Sequence, residues 1–207
     1  MTAAMKSHRS KCVVLFGAVK AGKTAFLRRL LYDTYEETYA PTTEDFYEKV
    51  YVYQGYVFNL ELIDTGSPFD FPAMRDLNIS RVHVAMVMYD VMDEETMKVA
   101  AAILDIIEEK RGPENPLEIV FVGTKVDLYE GENETDIYGV LDAYLKTQPD
   151  RPCGHQITSC KNGTNVNRTM EIVLEKVLHL TPKDQLIEYV PKAVFCRGIV
   201  CCSKHSN

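Results

Sequence analysis

The sequence predicts an α/β fold in which helices cover both faces of a mostly parallel sheet. Apolar strand-like runs alternate along the chain with amphipathic helical patterns, and this alternation is typical of parallel sheets. A glycine-rich loop separates the first strand from the first helix, and a hairpin at Gln54-Gly55 should make one strand antiparallel. The length of 207 residues is enough for about one domain.

The predicted strands are recognised by their apolar residues. In the run 57–64, Phe58, Leu60 and Leu62 alternate with polar neighbours, which is the period of a strand. Continuous apolar runs indicate strands that are buried on both faces. The predicted strands comprise residues 12–16, 45–53, 57–64, 84–91, 117–123 and 155–158.

The predicted helices carry apolar residues every three or four positions, so that one face of each helix can pack on the sheet. The first helix begins directly after the glycine-rich loop. The apolar faces comprise four sets of residues: Phe26, Leu27, Leu30 and Leu31; Met97, Ala100, Ala101, Leu104 and Ile107; Ile137, Val140, Leu141 and Tyr144; and Met170, Val173, Leu174 and Val177.

Composition argues against several classes of protein. The formal net charge of −7 and the pI near 5.3 disfavour nucleic-acid binding. No run reaches the roughly 18 apolar residues of a membrane-spanning helix. Six scattered cysteines indicate a reducing compartment, so we expect a cytoplasmic protein. We also expect a flexible N-terminus over residues 1–9, a domain over 10–181 and a tail over 182–207.

The glycine-rich loop, residues 17–24, has the pattern of a phosphate-binding loop. Gly17 and Gly22 let the backbone curve around phosphate oxygens. Lys23 supplies a positive charge, and Thr24 supplies a hydroxyl for Mg²⁺. A glycine–lysine turn also arises by chance, but the strand before this loop and the helix after it favour phosphate binding.

A carboxylate suited to the same cation follows later in the chain. Asp64 ends a predicted strand, where its side chain can hold the hydration shell of Mg²⁺. Aspartate at a strand end is also a common turn former, so this residue alone is a weak signal. Its position after the phosphate-binding loop strengthens the interpretation.

Two further segments are suited to a guanine base. In residues 124–127, Thr-Lys-Val-Asp, the Asp127 carboxylate can accept hydrogen bonds from N1–H and the amine of guanine, and the Lys125 stem can lie along the purine. Residues 159–161, Ser-Cys-Lys, can place a backbone N–H near the guanine O6. The alternative for this second segment is a solvated loop with a packed Cys160 thiol.

Together these motifs resemble the small GTPases of the Ras superfamily, and within it the Ras family, over about residues 10–180. Residues 41–47, Pro-Thr-Thr-Glu-Asp-Phe-Tyr, are similar to the family's first switch and effector-binding strand, and residues 71–75 are similar to the Dexras/Rhes branch. The resemblance implies a P-loop small G domain with a six-stranded sheet, GTP and GDP as ligands, Mg²⁺, and switch loops that the γ-phosphate orders.

The resemblance also assigns expected roles to residues of this chain. The expected Mg²⁺ ligands are Thr24, Thr42 and Asp64, and the residues expected to act in hydrolysis are Lys23, Thr42 and Ser67. Effector proteins should contact Thr43, Glu44, Asp45 and Tyr47. The nucleotide should contact Gly17, Val19, Lys20, Ala21, Gly22, Lys23, Thr24, Ala25, Tyr35, Thr42, Thr124, Lys125, Asp127, Ser159, Cys160 and Lys161.

Two departures from the family pattern concern hydrolysis. Val19 and Lys20 replace glycines, and the branched Val19 should obstruct both the attacking water and an inserted arginine finger. The family's Asp-Thr-Ala-Gly-Gln is Asp-Thr-Gly-Ser-Pro here, so Pro68 lacks the amide that would orient water. We therefore expect slow hydrolysis and a poor response to ordinary activating proteins. Alternatively, Ser67 or Asp70 positions the water.

The C-terminal residues differ from the family as well. Ras-family chains usually carry a cysteine four residues from the end, whereas this sequence ends in Lys-His-Ser-Asn. Cys196, Cys201 and Cys202 lie among apolar residues and are candidates for S-acylation; the alternative is an unmodified tail. We expect contact with the cytoplasmic face of the plasma membrane only if these cysteines are acylated.

Three functions fit the sequence to different degrees. The first is a monomeric signalling switch that hydrolyses GTP slowly and works with effectors, an exchange factor and an atypical activating protein. The second is a constitutively GTP-bound adaptor without catalysis, which Val19 and Pro68 favour. Thr24, Thr42 and Asp64 favour Mg²⁺-dependent switching instead. The third is a P-loop kinase, against which residues 124–127 argue.

Overall fold

The computed structural model describes residues 10–131 and 153–189. Its strands are β1 (Lys11–Gly17), β2 (Glu44–Tyr53), β3 (Tyr56–Thr65), β4 (Val84–Asp90), β5 (Glu118–Thr124), β6 (Cys153–Ile157) and β7 (Ile187–Glu188). They form a sheet in the order β2-β3-β1-β4-β5-β6, with β7 paired to β3. Strands β3, β1, β4, β5 and β6 are parallel, and β2 is antiparallel to β3.

The helices of the described ranges are α1 (Lys23–Tyr32), α2 (Pro72–Arg81), α3 (Glu94–Arg111) and α4 (Val166–His179). Short 3-10 helices lie at Val126–Leu128 and Lys183–Gln185. The helix predicted around residues 137–144 falls outside the described residues. Within those residues, no helix combines the length and the apolar character that crossing a membrane requires.

The apolar core forms one layer on each face of the sheet. Along β1, Val13 and Leu15 pack in the layer that contains α1 and α4, whereas Val14 and Phe16 pack in the layer that contains α2 and α3. Successive side chains of a strand point to opposite faces, so a strand covered on both sides needs a continuous apolar run. The predicted α/β fold, with helices on both faces of the sheet, is confirmed.

One strand was not predicted. The two residues of β7 pair antiparallel with Tyr56 and Val57, and the Tyr189 amide donates to the Gly55 carbonyl oxygen at 2.7 Å. This strand raises the number in the sheet from the predicted six to seven. It also lies beyond residue 181, where the predicted domain ends. A two-residue strand is too short to show a period in the sequence.

The parallel strands place their carboxyl ends at one edge of the sheet. The loops that follow β1, β3, β4, β5 and β6 therefore emerge on the same side of the molecule. This edge is where open α/β sheets bind their ligands. Most residues that the sequence assigns to the nucleotide and Mg²⁺ lie in these loops or at the ends of these strands, whereas Tyr35 and Thr42 lie in the connection between α1 and β2.

Candidate functional site

The loops at this edge surround a cavity of about 910 Å³, which is within the usual size range of ligand pockets. Its walls come from the glycine-rich loop, the α1–β2 connection, the β3–α2 connection and the loops after β5 and β6. Most residues with an expected role line this cavity: Val19, Lys20, Gly22, Lys23, Thr24, Ala25, Tyr35, Thr42, Thr43, Glu44, Asp45, Tyr47, Ser67, Thr124, Lys125, Asp127, Cys160 and Lys161.

The glycine-rich loop is held tightly against the neighbouring strands. Gly17 has φ +149°, and a Cβ at this position would lie 2.2 Å from the Met88 carbonyl oxygen. The Thr124 hydroxyl lies 2.9 Å from the Ala21 carbonyl oxygen and 3.0 Å from that of Tyr89. Gly17 and Ala21 therefore hold the loop in place through these contacts but do not line the cavity.

The Lys23 side chain is buried beneath the loop. Its Nζ donates to the carbonyl oxygens of Gly17 at 2.9 Å and Ala18 at 2.7 Å. Burial lowers the pKa of Lys23 to about 8, and the nearby Asp64 carboxylate opposes this shift. A phosphate bound in the cavity would supply the negative charge that favours the protonated form.

Three oxygen-bearing side chains meet beside Lys23. The Thr24 hydroxyl donates to Asp64 Oδ2 at 2.6 Å and lies 2.9 Å from the Thr42 hydroxyl. The other Asp64 oxygen, Oδ1, is buried and has no hydrogen-bond partner among the described residues. Burial raises the pKa of Asp64 to about 6, against the opposing effects of the Thr24 hydrogen bond and the Lys23 charge. This oxygen-only set, with one unpaired carboxylate oxygen, fits the ligand preference of Mg²⁺.

At the other end of the cavity, two predicted segments are connected through side chains. The Asp127 carboxylate accepts a hydrogen bond of 2.5 Å from the Ser159 hydroxyl, and Ser159 is fully buried. Lys125 adopts φ +61° and donates to Asp90 Oδ2 at 2.6 Å. Asp90 was not predicted, although it lies near the carboxyl end of an apolar strand as Asp64 does. That position is the signal that could have identified it.

A second residue missed from the sequence is Arg29 on α1. Its Nε donates to the carbonyl oxygen of Cys160, and its Nη2 to that of Lys161, both at 2.7 Å. The Cys160 thiol is packed in the core, which was one of the two interpretations of that segment. An arginine near the end of an amphipathic helix gives no sequence signal for such a contact. Arg29 nevertheless fixes the backbone of residues 160–161 beside the cavity.

The segments expected to act in hydrolysis contact one another directly. The Gly66 amide donates to the Thr43 carbonyl oxygen at 2.8 Å, and a Cβ at Gly66 would lie 2.6 Å from the Thr42 carbonyl oxygen. Ser67 and Asp70 line the large cavity, and Val19 is 46% exposed at its edge. Two residues further along from Gly66, Pro68 is buried and lines an adjoining small cavity with Phe71 and Met74, which shares Gly66 and Ser67 with the large one.

The residues expected to contact effectors lie where β2 begins. Glu44 accepts a hydrogen bond of 2.5 Å from the Asn78 amide of α2, and Arg81 lies over the exposed Phe46 ring at 5.3 Å from its centroid. These contacts connect the start of β2 with α2. The candidate acylation sites Cys196, Cys201 and Cys202 lie outside the described residues.

Comparison with known proteins agrees with this geometry. A family model described as "Ras family" matches residues 11–179. The chain is 30% identical to GTP-binding protein Di-Ras1 of Homo sapiens over 162 residues, which cover 78% of this chain and 79% of that protein. It is 31% identical to GTP-binding protein drn-1 of Caenorhabditis elegans, with coverage of 84% and 76%, and 29% identical to GTP-binding protein Rhes of Mus musculus, with coverage of 78% and 62%. The chain belongs to the Ras family of small GTPases.

Proposed function

We propose that this protein is a guanine-nucleotide-dependent signalling switch that hydrolyses GTP slowly. As a Ras-family member it is a GTPase whose ligands are GTP and GDP with Mg²⁺. The observation that carries the proposal is the division of the cavity. Lys23, Thr24 and Thr42 line one end, where the buried Asp64 accepts from Thr24. Lys125 and Asp127 line the other end, where the buried Ser159 donates to Asp127.

Each end suits one part of a guanine nucleotide. Lys23 would neutralise charge on the β- and γ-phosphates, and Thr24, Thr42 and Asp64 would hold Mg²⁺. The cation, when bound, would offset further phosphate charge during hydrolysis. Asp127, which Ser159 orients, would accept hydrogen bonds from guanine, and adenine offers no matching pair of donors there.

The slow rate follows from the residues around the expected reaction centre. Val19 occupies space at the edge of the cavity, and Pro68 lines the adjoining small cavity and has no side-chain amide. Intrinsic hydrolysis in such GTPases is near 10⁻⁴ s⁻¹, and an inserted arginine finger adds roughly 10⁵-fold. We expect a rate at or below that intrinsic value and little stimulation by ordinary activating proteins. Ser67 and Asp70 are the polar groups of the cavity that can position water instead.

Ras-like GTPases interact with effectors and regulators, and we assign the effector contacts here to Thr43, Glu44, Asp45 and Tyr47. The regulators would be an exchange factor and an atypical activating protein, and the switch would act as a monomer. We place it in the cytoplasm, with membrane contact only if the C-terminal cysteines are acylated.

A second candidate function is a permanently GTP-bound adaptor that performs no catalysis. The exposed Val19 side chain at the cavity edge favours the adaptor, because a protein whose hydrolysis is blocked would stay in its GTP-bound conformation. The polar contacts among Thr24, Thr42 and Asp64 favour a switch that responds to the γ-phosphate. The two functions differ in whether bound GTP is ever cleaved.

Both are tested by identifying the nucleotide that copurifies with the protein and following one turnover of GTP with Mg²⁺. We expect measurable but slow cleavage, and we expect Val19→Gly to raise the rate about tenfold, a small part of the gain that a finger provides. Val52→Gly, at the far end of β2, is the matched control. Bound GTP that is not cleaved over hours would support the adaptor, and rapid cleavage stimulated by an ordinary activating protein would refute slow hydrolysis.

A further inference from the structure

The connection between α1 and β2, residues 33–43, forms one wall of the nucleotide cavity. Side chains tie it to three other parts of the site. Glu36 pairs with Arg28 of α1, and Glu37 lies 3.4 Å from Lys161 Nζ. Nearer the phosphate-binding end, Lys20 Nζ lies 5.6 Å from the centroid of the Tyr39 ring. The connection is therefore attached to the site at both the base-binding and the phosphate-binding ends.

The contact between Lys20 and Tyr39 depends on Lys20, which is unusual in both its identity and its backbone conformation. Lys20 takes the place of a glycine of the family pattern and adopts φ +64°, a left-handed conformation that lysine rarely occupies. Its side chain is exposed and forms no ion pair with any described carboxylate, unlike Lys161. A lysine ammonium within about 6 Å of an aromatic ring centroid is attracted to the ring face. The distance to Tyr39 satisfies that criterion.

We propose that Lys20 and Tyr39 form a latch that holds residues 33–43 over the bound nucleotide and slows its release. This inference rests on the proposed function, because it requires a guanine nucleotide in the cavity. Both residues line the cavity, so a nucleotide leaving on this side requires their contact to separate. An exposed contact of this kind should slow release about two- to fivefold.

The test uses the full chain loaded with GDP that carries a fluorescent methylanthraniloyl group, chased with excess unlabelled GDP in the presence of Mg²⁺. Lys20→Met removes the charge and keeps the length of the side chain, and Tyr39→Leu removes the ring. Each should accelerate release about two- to fivefold. The double variant should be no faster than the faster single variant, because both changes break the same contact.

Two further variants separate the latch from other effects. Tyr39→Phe keeps the ring and should retain slow release. Tyr32→Leu removes an exposed tyrosine that does not line the cavity, so it should also leave release unchanged. Because the Tyr39 side chain is 48% exposed, we expect its substitution to leave the protein folded, so unfolding would not explain faster release.

The results distinguish failure of the latch from failure of the proposed function. If wild-type protein binds no guanine nucleotide, the proposed function fails. If nucleotide binds but Tyr39→Leu releases it at the wild-type rate, the latch is refuted. The latch would also be refuted if the double variant accelerated release by the product of the two single accelerations. Lys20 would then act on the phosphates independently of the Tyr39 ring.

Discussion

Among single residues, burial governs the chemistry of Cys12 and Cys160. Both thiols are buried, and burial raises the pKa of each to about 12. Because only the thiolate attacks alkylating reagents, these two cysteines should be inert in the folded protein. At pH 8 we expect iodoacetamide to label them on the order of a thousandfold more slowly than in the unfolded chain.

Peptide mapping by mass spectrometry after timed labelling measures this difference at each cysteine. Labelling in urea provides the control, since both thiols then regain an ordinary pKa near 8.5. The raised pKa values also mean that the folded state keeps two protons that the unfolded chain loses. The contribution of these two thiols to the free energy of unfolding should therefore decline as pH rises from about 8.5 toward 12. Equal labelling of native and unfolded protein would contradict the burial of these thiols.

At the scale of elements, the contact between the end of β1 and β4 depends on Gly17. A side chain there would place Cβ 2.2 Å from the Met88 carbonyl oxygen, and φ +149° is unfavourable for any residue with a Cβ. We expect Gly17→Ala to lower the free energy of unfolding by about 3 kcal/mol or more, measured by urea denaturation.

Gly112 supplies the matched control for that substitution. It directly follows α3 with φ +69°, but apart from its chain neighbours no described atom lies within 4 Å of the position its Cβ would occupy. Gly112→Ala should therefore cost only about 1 kcal/mol, from backbone strain alone. Similar losses for the two variants would show that the approach of β1 to β4 is looser than the structure indicates.

The elements also show which features a sequence can predict. The glycine-rich loop, Asp64 and residues 124–127 were predictable because each motif is local and each follows an apolar strand. The contacts of Asp90 with Lys125 and of Arg29 with residues 160–161 were not, because they join residues 35 and more than 130 positions apart. Such contacts depend on strand order, which the pattern of apolar residues does not specify.

At the scale of the whole molecule, the cavity is lined by residues that lie far apart in the sequence. The glycine-rich loop follows β1, whereas Cys160 and Lys161 lie just before α4. These distant segments meet only when the sheet has formed, so the complete site exists in the folded state alone. A ligand that binds only the folded state stabilises it in proportion to the logarithm of ligand concentration.

This coupling predicts that nucleotide will raise the thermal midpoint of unfolding. GDP with Mg²⁺ at one hundred times its dissociation constant should add about 2.7 kcal/mol, which is roughly 5–10 °C for a domain of this size. ATP should add far less, because the Asp127 carboxylate has no matching donors on adenine. Asp127→Ala should abolish most of the GDP effect, whereas Glu130→Ala, an exposed carboxylate in the same loop, should keep it. Differential scanning fluorimetry measures all four cases, and equal stabilisation by ATP and GDP would contradict the assignment of Asp127 to guanine.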